Sequence, residues 1–210
     1  MKGAGPSIAF ALAGMIFLVK PVSKDPVSIP PEPIRDFDAE LAAALVARAS
    51  RDLGIVETGH NSGQEINAYL RAVNEAPGSN WCAAAVSAWL KDAYATVGRT
   101  CPVSLVSGAK LLGRNLEAAG WRRVPRALGN YQNVPPGSIP VWDRSGPGTP
   151  AYFGHIGVVT AWPWPGAANG RFESVEGNSG TDGKRVARMS RSQRDAKLMD
   201  FYVPVLKEAA

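Results

Sequence analysis

Cysteine and histidine are scarce in this chain, with two of each in 210 residues. Two cysteines are too few for the disulfide framework of a small secreted domain, and Cys82 and Cys101 lack the C-x-x-C spacing of a zinc site. No internal repeat is present, which excludes a repeat-built fold. The uncharged run from Gly3 to Val19 has its strongly apolar part only from Ile8 onward. That is short for a membrane span, which needs about 20 residues. Acidic residues are the minority charge: the net charge is +5. An excess of this sign favours polyanions, whether nucleic acid, anionic lipid or the acidic polymers of a bacterial wall, and charge alone does not choose among them.

With 45% hydrophobic residues, the chain has enough apolar material for one core. Residues 1–20, with Lys2 ahead of the apolar run, read as an export signal or a membrane anchor. "KPVSKDP" follows without a small-x-small cleavage site, so an uncleaved anchor fits as well as a cleaved signal, and a buried apolar helix is the alternative to both. Residues 21–35, "PVSKDPVSIPPEPIR", carry five prolines and read as a stiff linker. The domain is expected over residues 36–210. It opens on a helix capped by Asp36 or Asp38, with Leu41, Leu45 and Val46 on its apolar side and Gly54 as its stop. Residues 62–76 predict a second amphipathic helix, with Ile66, Tyr69, Leu70 and Val73 on one face. A third helix begins at Cys82, with Ala85, Val86, Trp89, Leu90 and Ala93 at helical spacing, and ends near Gly98. A fourth ends at Gly120. Beyond it, strands are expected at 137–143, 154–162, 171–180, 184–190 and 200–205. Helices first and strands after predict an α+β fold, the N-terminal helices packed on a small antiparallel sheet.

Cys82 sits at the start of the third helix in "SNWCAAAVSAWL". A thiol is a strong nucleophile only when ionised, and the partial positive charge of a helix N-terminus favours the ionised form. Ser79 or Asn80 as the cap places Cys82 in the first turn. Residue type alone equally suits a small buried packing residue, so Cys82 needs a base. His155, in "YFGHIGVV", has Gly154 and Gly157 beside it to permit close approach, and strand alternation puts it on one face with Gly157 and Val159. The following strand, "FESVEGNSG", offers Glu173, Glu176 and Asn178. An imidazole acting as a base works better when a carboxylate or amide holds its other nitrogen. Alternation places Glu176 and Asn178 together, with Glu173 facing away. Glu176 is therefore the expected orienting group. Asn178 is its neighbour, either polarising the same ring or helping to bind an oxyanion; a plain turn is the alternative for "EGNSG".

Taken in order, "NWCAAAVSAWL", "PGSIPVWDRSG", "GHIGVVTAW" and "VEGNSG" resemble the CHAP family, the cysteine, histidine-dependent amidohydrolases and peptidases, relatives of the NlpC-type cell-wall enzymes. The resemblance spans about residues 40 to 205. It implies a papain-like fold with Cys82 as nucleophile, His155 as general base, Glu176 as third member and Asn178 as an accessory polar group. It departs from the family at Ser138, where many relatives have an acid, and at "NEAPGSNWC", where some relatives carry a calcium-binding acidic loop and this chain has only Glu75. No metal and no cofactor are expected. "ETGHNSG" resembles a segment beside the cleft of phage-type members, which suggests Glu57, His60 and Asn61 as groove residues, although turn chemistry accounts for them too. Asn80 joins this expected substrate-binding set. Trp81, Trp142, Trp162 and Trp164 are expected to wall the groove, since aromatic faces stack on sugars and peptides. Cys101 is expected to be structural or exposed, and Lys184, Arg185, Arg188, Arg191, Arg194 and Lys197 to form a solvated basic face.

The resemblance implies cleavage of a peptidoglycan amide, either N-acetylmuramoyl-L-alanine or a bond of the stem or cross-bridge peptide. The implied partner is the bacterial wall, with possible attachment to membrane or virion through the N-terminal segment and no nucleic acid. The expected location is the cell envelope, the periplasm or a virion, and the expected origin a phage lytic enzyme or virion-associated lysin. The alternatives are a catalytically inactive wall-binding or virion module of the same fold and an amidase effector delivered by a secretion system.

Overall fold

The computed structural model describes residues 34–126, 134–162 and 170–205, so the expected signal or anchor and nearly all of the proline-rich linker lie outside the described residues. Helix α1 spans Ala39–Arg51. Its cap is Asp38, whose Oδ1 accepts the Leu41 N–H at 3.0 Å. The other face of the Asp38 carboxylate is held by the Arg99 guanidinium, which keeps this buried acid ionised. Leu41, Leu45 and Ala49, spaced four apart, are the buried stripe.

Helix α2, Gln64–Ala72, is shorter than its apolar pattern predicts. The chain turns away through Val73 and Asn74, and Asn74 takes a left-handed backbone (φ 59°), a conformation asparagine tolerates better than most residues. Helix α3, Cys82–Thr96, is the central element: Ala83, Ala84, Ala85 and Val86 are all fully buried in its first two turns. Small side chains let α1, α2 and the sheets approach its backbone from several directions, which explains why the stretch is so rich in alanine. Helix α4 covers Ala109–Ala118.

Among the described residues seven strands follow: β1 (Arg122–Pro125), β2 (Ile139–Asp143), β3 (Gly154–Ile156), β4 (Val158–Ala161), β5 (Arg171–Ser179), β6 (Arg185–Ser192) and β7 (Leu198–Val203). All pairings are antiparallel. They form one sheet in the order β1-β7-β2-β3 and a second in the order β4-β5-β6. The fold is therefore α+β, with helices leading and small antiparallel sheets following.

Two features differ from the sequence pattern. The single strand expected over 154–162 is divided at Gly157, where the chain leaves one sheet and enters the other. Strand β1 was not expected; it pairs with β7 at the sheet edge, Val124 opposite Phe201. The main core lies between α3 and the sheet faces carrying Ile139, Ile156, Val158 and Val175. A second apolar cluster, with Trp142, Val159, Phe172 and Phe201, fills the opposite side. Among the described residues no helix is long and apolar enough to cross a membrane.

Candidate active site

The site is where the N-terminus of α3 meets the joint between the two sheets. Strand β5 lies so close to α3 that a Cβ on Gly177 would come within 2.7 Å of the Trp81 ring and 3.0 Å of the Ala85 side chain. Only glycine permits this approach. The residue preceding the helix, Trp81, is fully buried and stacks on Tyr69, and its indole N–H donates to Glu57 Oε1 at 2.7 Å. The start of α3 is thus fixed on both sides. Cys82 is the first helical residue, and its sulfur lies 4.0 Å from the carbonyl oxygen of Gly154, the residue before His155.

Trp81 is the N-cap position and supplies no capping side chain. Ser79 and Asn80, expected as caps, do not act as such. The uncapped first turn leaves backbone N–H groups directed out of the helix beside the sulfur, the arrangement that attracts negative charge.

His155 stands on β3 opposite Trp142 of β2 and is buried. Its Nε2 lies 2.6 Å from Glu176 Oε2. The Glu176 carboxylate is itself fully buried and saturated. Its Oε1 accepts from Ser174 Oγ at 2.6 Å and from Arg191 Nε at 2.7 Å; its Oε2 accepts from Ser179 Oγ at 3.1 Å and from the Arg191 Nη2. Burial alone would push this carboxyl up, but the Arg191 fork and then His155 outweigh it and hold the pKa at about 2. An ionised carboxylate can only accept, so the proton between the pair belongs to His155 Nε2. That leaves Nδ1 of the neutral ring as a free base. Nδ1 is buried and has no hydrogen-bond partner among the described residues. Burial opposes the imidazolium, yet the nearby Cys82 thiol and the hydrogen-bonded Glu176 carboxylate raise the ring's pKa above its ordinary value.

The approach of Glu176 to the ring depends on Gly157. A Cβ there would lie 2.5 Å from Glu176 Cγ and 3.0 Å from the Val175 carbonyl oxygen. The glycine that divides the expected strand thus also makes room for the carboxylate.

Comparison of the chain with family models, curated proteins and solved structures finds no match. The site therefore rests on its own geometry.

Several expected site residues have different roles. Asn178 does not touch the imidazole; its Nδ2 faces Asn80 Oδ1 at 3.5 Å. Strict alternation fails because β5 carries a bulge. The three steps from Glu176 to Ser179 face only two on β6, from Ala187 to Arg185, and Asn178 takes a left-handed conformation (φ 52°). The bulge brings Ser179, rather than Asn178, onto Glu176.

Trp81 and Trp142 wall no groove, because both are buried. Trp142 packs against the His155 ring at 5.7 Å and stacks on Phe172. Trp162 stacks on Phe172 in the second core, and Trp164 lies outside the described residues. Glu57 and Asn61 are likewise structural. Glu57 braces Trp81 and accepts the Asn61 N–H at 3.0 Å, and Asn61 Nδ2 donates to the Gly78 carbonyl at 3.1 Å. Together they lock the loop that delivers Cys82. His60 is exposed on the same turn and does not line the pocket.

Of the expected binding residues, Asn80 does line a pocket, of about 290 Å³, together with Cys82, Ser79, Tyr152, Phe153 and Glu75. Cys101 is a free, partly buried thiol whose pKa burial pushes up. Cys82 is also free, so no disulfide consumes the candidate nucleophile. Among the described residues no cluster of His, Cys, Asp and Glu is arranged to hold a metal ion.

Arg191 is the functional residue that sequence reasoning missed. It was assigned to the solvated basic face, yet its side chain is mostly buried, passes 5.3 Å above the Trp142 ring and grips Glu176. The neighbouring Arg185 and Arg188 do pair at the surface, with Asp182 and Glu173.

Proposed function

We propose that the chain is a papain-like cysteine hydrolase of the CHAP type that cleaves an amide bond of peptidoglycan. One observation carries the chemistry: a buried His155 Nδ1 with no hydrogen-bond partner among the described residues, on a ring whose other nitrogen is fixed by an ionised, fully bonded Glu176 and whose residue follows Gly154, the carbonyl oxygen of which lies 4.0 Å from Cys82 Sγ. Leaving a buried ring nitrogen without a good partner costs about 1–3 kcal/mol, and such a cost is tolerated where the atom has chemistry to do. The pocket next to Cys82 gives a substrate access to the sulfur.

In the first step His155 Nδ1 takes the thiol proton and Cys82 Sγ bonds to the carbonyl carbon of the scissile amide, whose oxygen becomes an oxyanion beside the first-turn N–H groups of α3. The imidazolium then gives its proton to the amide nitrogen, the C–N bond breaks, and an amine departs, leaving a thioester on Cys82. In the second step His155 takes a proton from water. The hydroxide adds to the thioester carbon, the C–S bond breaks, a carboxylic acid leaves, and the imidazolium returns its proton to the Cys82 sulfur. Glu176 keeps the ring oriented throughout and stabilises its charged form. Asn80 and Asn178 stand at the start of α3, near the developing oxyanion.

Peptidoglycan as the substrate rests on the motif resemblance, as do an envelope or virion location, a phage origin, membrane or virion attachment through residues 1–20 and the exclusion of nucleic acid. No cofactor is invoked. Incubation of purified bacterial wall with the protein, followed by mass spectrometry of the soluble fragments, tests the reading. New N-terminal L-alanine identifies an N-acetylmuramoyl-L-alanine amidase, and new termini within the stem or bridge identify an endopeptidase. Walls that acquire no new amino termini contradict the proposal.

A further inference from the structure

The pocket beside Cys82 has one charged wall residue, Glu75, and no cationic one. Most acids of this basic chain are matched with an arginine or lysine: Asp36 with Arg122, Asp143 with Lys110, Asp200 with Arg123, Glu173 with Arg188. Glu75 is only partly exposed and forms no ion pair among the described residues. Its Oε1 accepts from Ser107 Oγ at 2.6 Å, which fixes the carboxylate against the wall and leaves Oε2 for another donor. The rest of the lining includes the rings of Tyr152 and Phe153 and the apolar Pro150. Tyr152 is held over the start of α4, where a Cβ on Gly108 would come within 3.0 Å of its ring. A carboxylate in a pocket that also holds the aromatic residues Tyr152 and Phe153 suits an ammonium group, which can gain an ion pair from the first and cation–π attraction from the others. The volume, about 290 Å³, is roughly ten waters' worth, enough for an extended side chain ending in an amine.

We propose that Glu75 is a specificity residue: the pocket binds a primary ammonium group of the substrate close to the amide that Cys82 attacks. This rests on the hydrolase reading and adds the substrate class. It selects stem peptides that carry a free amine, either the side chain of a diamino acid or a peptide N-terminus exposed by earlier processing.

The test is designed so that it does not require turnover. A stem tripeptide ending in L-lysine, acetylated at Nα, at Nε, at both or at neither, is titrated calorimetrically into full-length protein carrying Cys82→Ala. Blocking the amine that enters the pocket is expected to weaken binding at least about tenfold, the worth of one charged hydrogen bond. Sensitivity at Nε indicates the diamino-acid side chain, and sensitivity at Nα indicates the peptide terminus. Adding Glu75→Gln should abolish that difference, and Glu75→Asp should retain part of it. Equal affinity for all four peptides, or equal losses for all four on Glu75→Gln, overturns the proposal. Discrimination between the peptides with no wall cleavage by the unmodified protein sinks the hydrolase reading and leaves the amine site standing.

Discussion

Alanine at Cys82 is expected to bring wall hydrolysis down to background, a loss of roughly 10⁴-fold or more, because a nucleophile and its base act as a unit and removing either disables both. His155→Ala should lose about as much, and the double variant little more. The fold should survive the first change. Cys82 contributes one sulfur atom to a helix start already fixed by the Trp81–Glu57 hydrogen bond and by the contact of Gly177 with Trp81. Circular dichroism of the variant should match the parent, and it should still sediment with purified walls. Appreciable hydrolysis by the folded Cys82→Ala protein would remove the sulfur from the mechanism.

The largest stability effect is expected at Arg191. Replacing it with methionine keeps much of the stem that lies over Trp142 but strips Glu176 of its forked partner, leaving a fully buried carboxylate with His155 and two hydroxyls. Breaking a buried pair from one side costs about 3–5 kcal/mol, a fall in melting temperature of roughly 10 °C for a domain of this size. Arg185→Met, which removes the exposed pair with Asp182, should cost under about 1 kcal/mol.

The pH dependence has a definite sign. Glu176 is held at about 2, below its ordinary value of 4.5, so its contribution to stability is complete above pH 4.5 and is lost as pH falls toward 2. Because Arg191 is the strongest cause of that lowering, the variant's carboxyl titrates nearer its ordinary value in the folded protein, so the variant has less of this stability to lose on acidification. The gap between the two melting curves should therefore shrink on acidification. A gap that stays constant down to pH 2.5, or no change in melting temperature at neutral pH, would contradict the role assigned to Arg191.

Local features of the fold were legible because local physics controls them. Asp38 as one of two candidate caps, Leu41 and Leu45 on the apolar side of α1, and the placement of Cys82 at the first turn of α3 all follow from rules that act within one or two turns. Gly154 and Gly157 around His155 signalled close approach, and both face contacts under 3 Å to a hypothetical Cβ. The approach of His155 to Glu176, at 2.6 Å, was expected from motif order.

What escaped depends on strand register, which no local pattern encodes. The bulge in β5 exchanges Asn178 for Ser179 on the carboxylate. Arg191 stands opposite Phe172 on the neighbouring strand and reaches back to Glu176, so its cationic neighbours in sequence disguise it as part of a solvated face. Trp81 and Trp142 were misplaced for a related reason: an aromatic beside a site residue in sequence can as readily support it from the core as line its groove.

The thiols provide the most direct test, since Cys101 is an internal control. Cys82 is the more buried of the two, so exposure alone makes Cys101 the faster to alkylate, while burial pushes the Cys101 thiol's pKa up. Limiting iodoacetamide at neutral pH, followed by peptide mass spectrometry, should find Cys82 labelled first in the parent protein and no longer first in the His155→Ala protein. If Cys82 instead labels more slowly than Cys101 and is indifferent to the loss of His155, the imidazole does not activate the sulfur and the proposed chemistry is wrong.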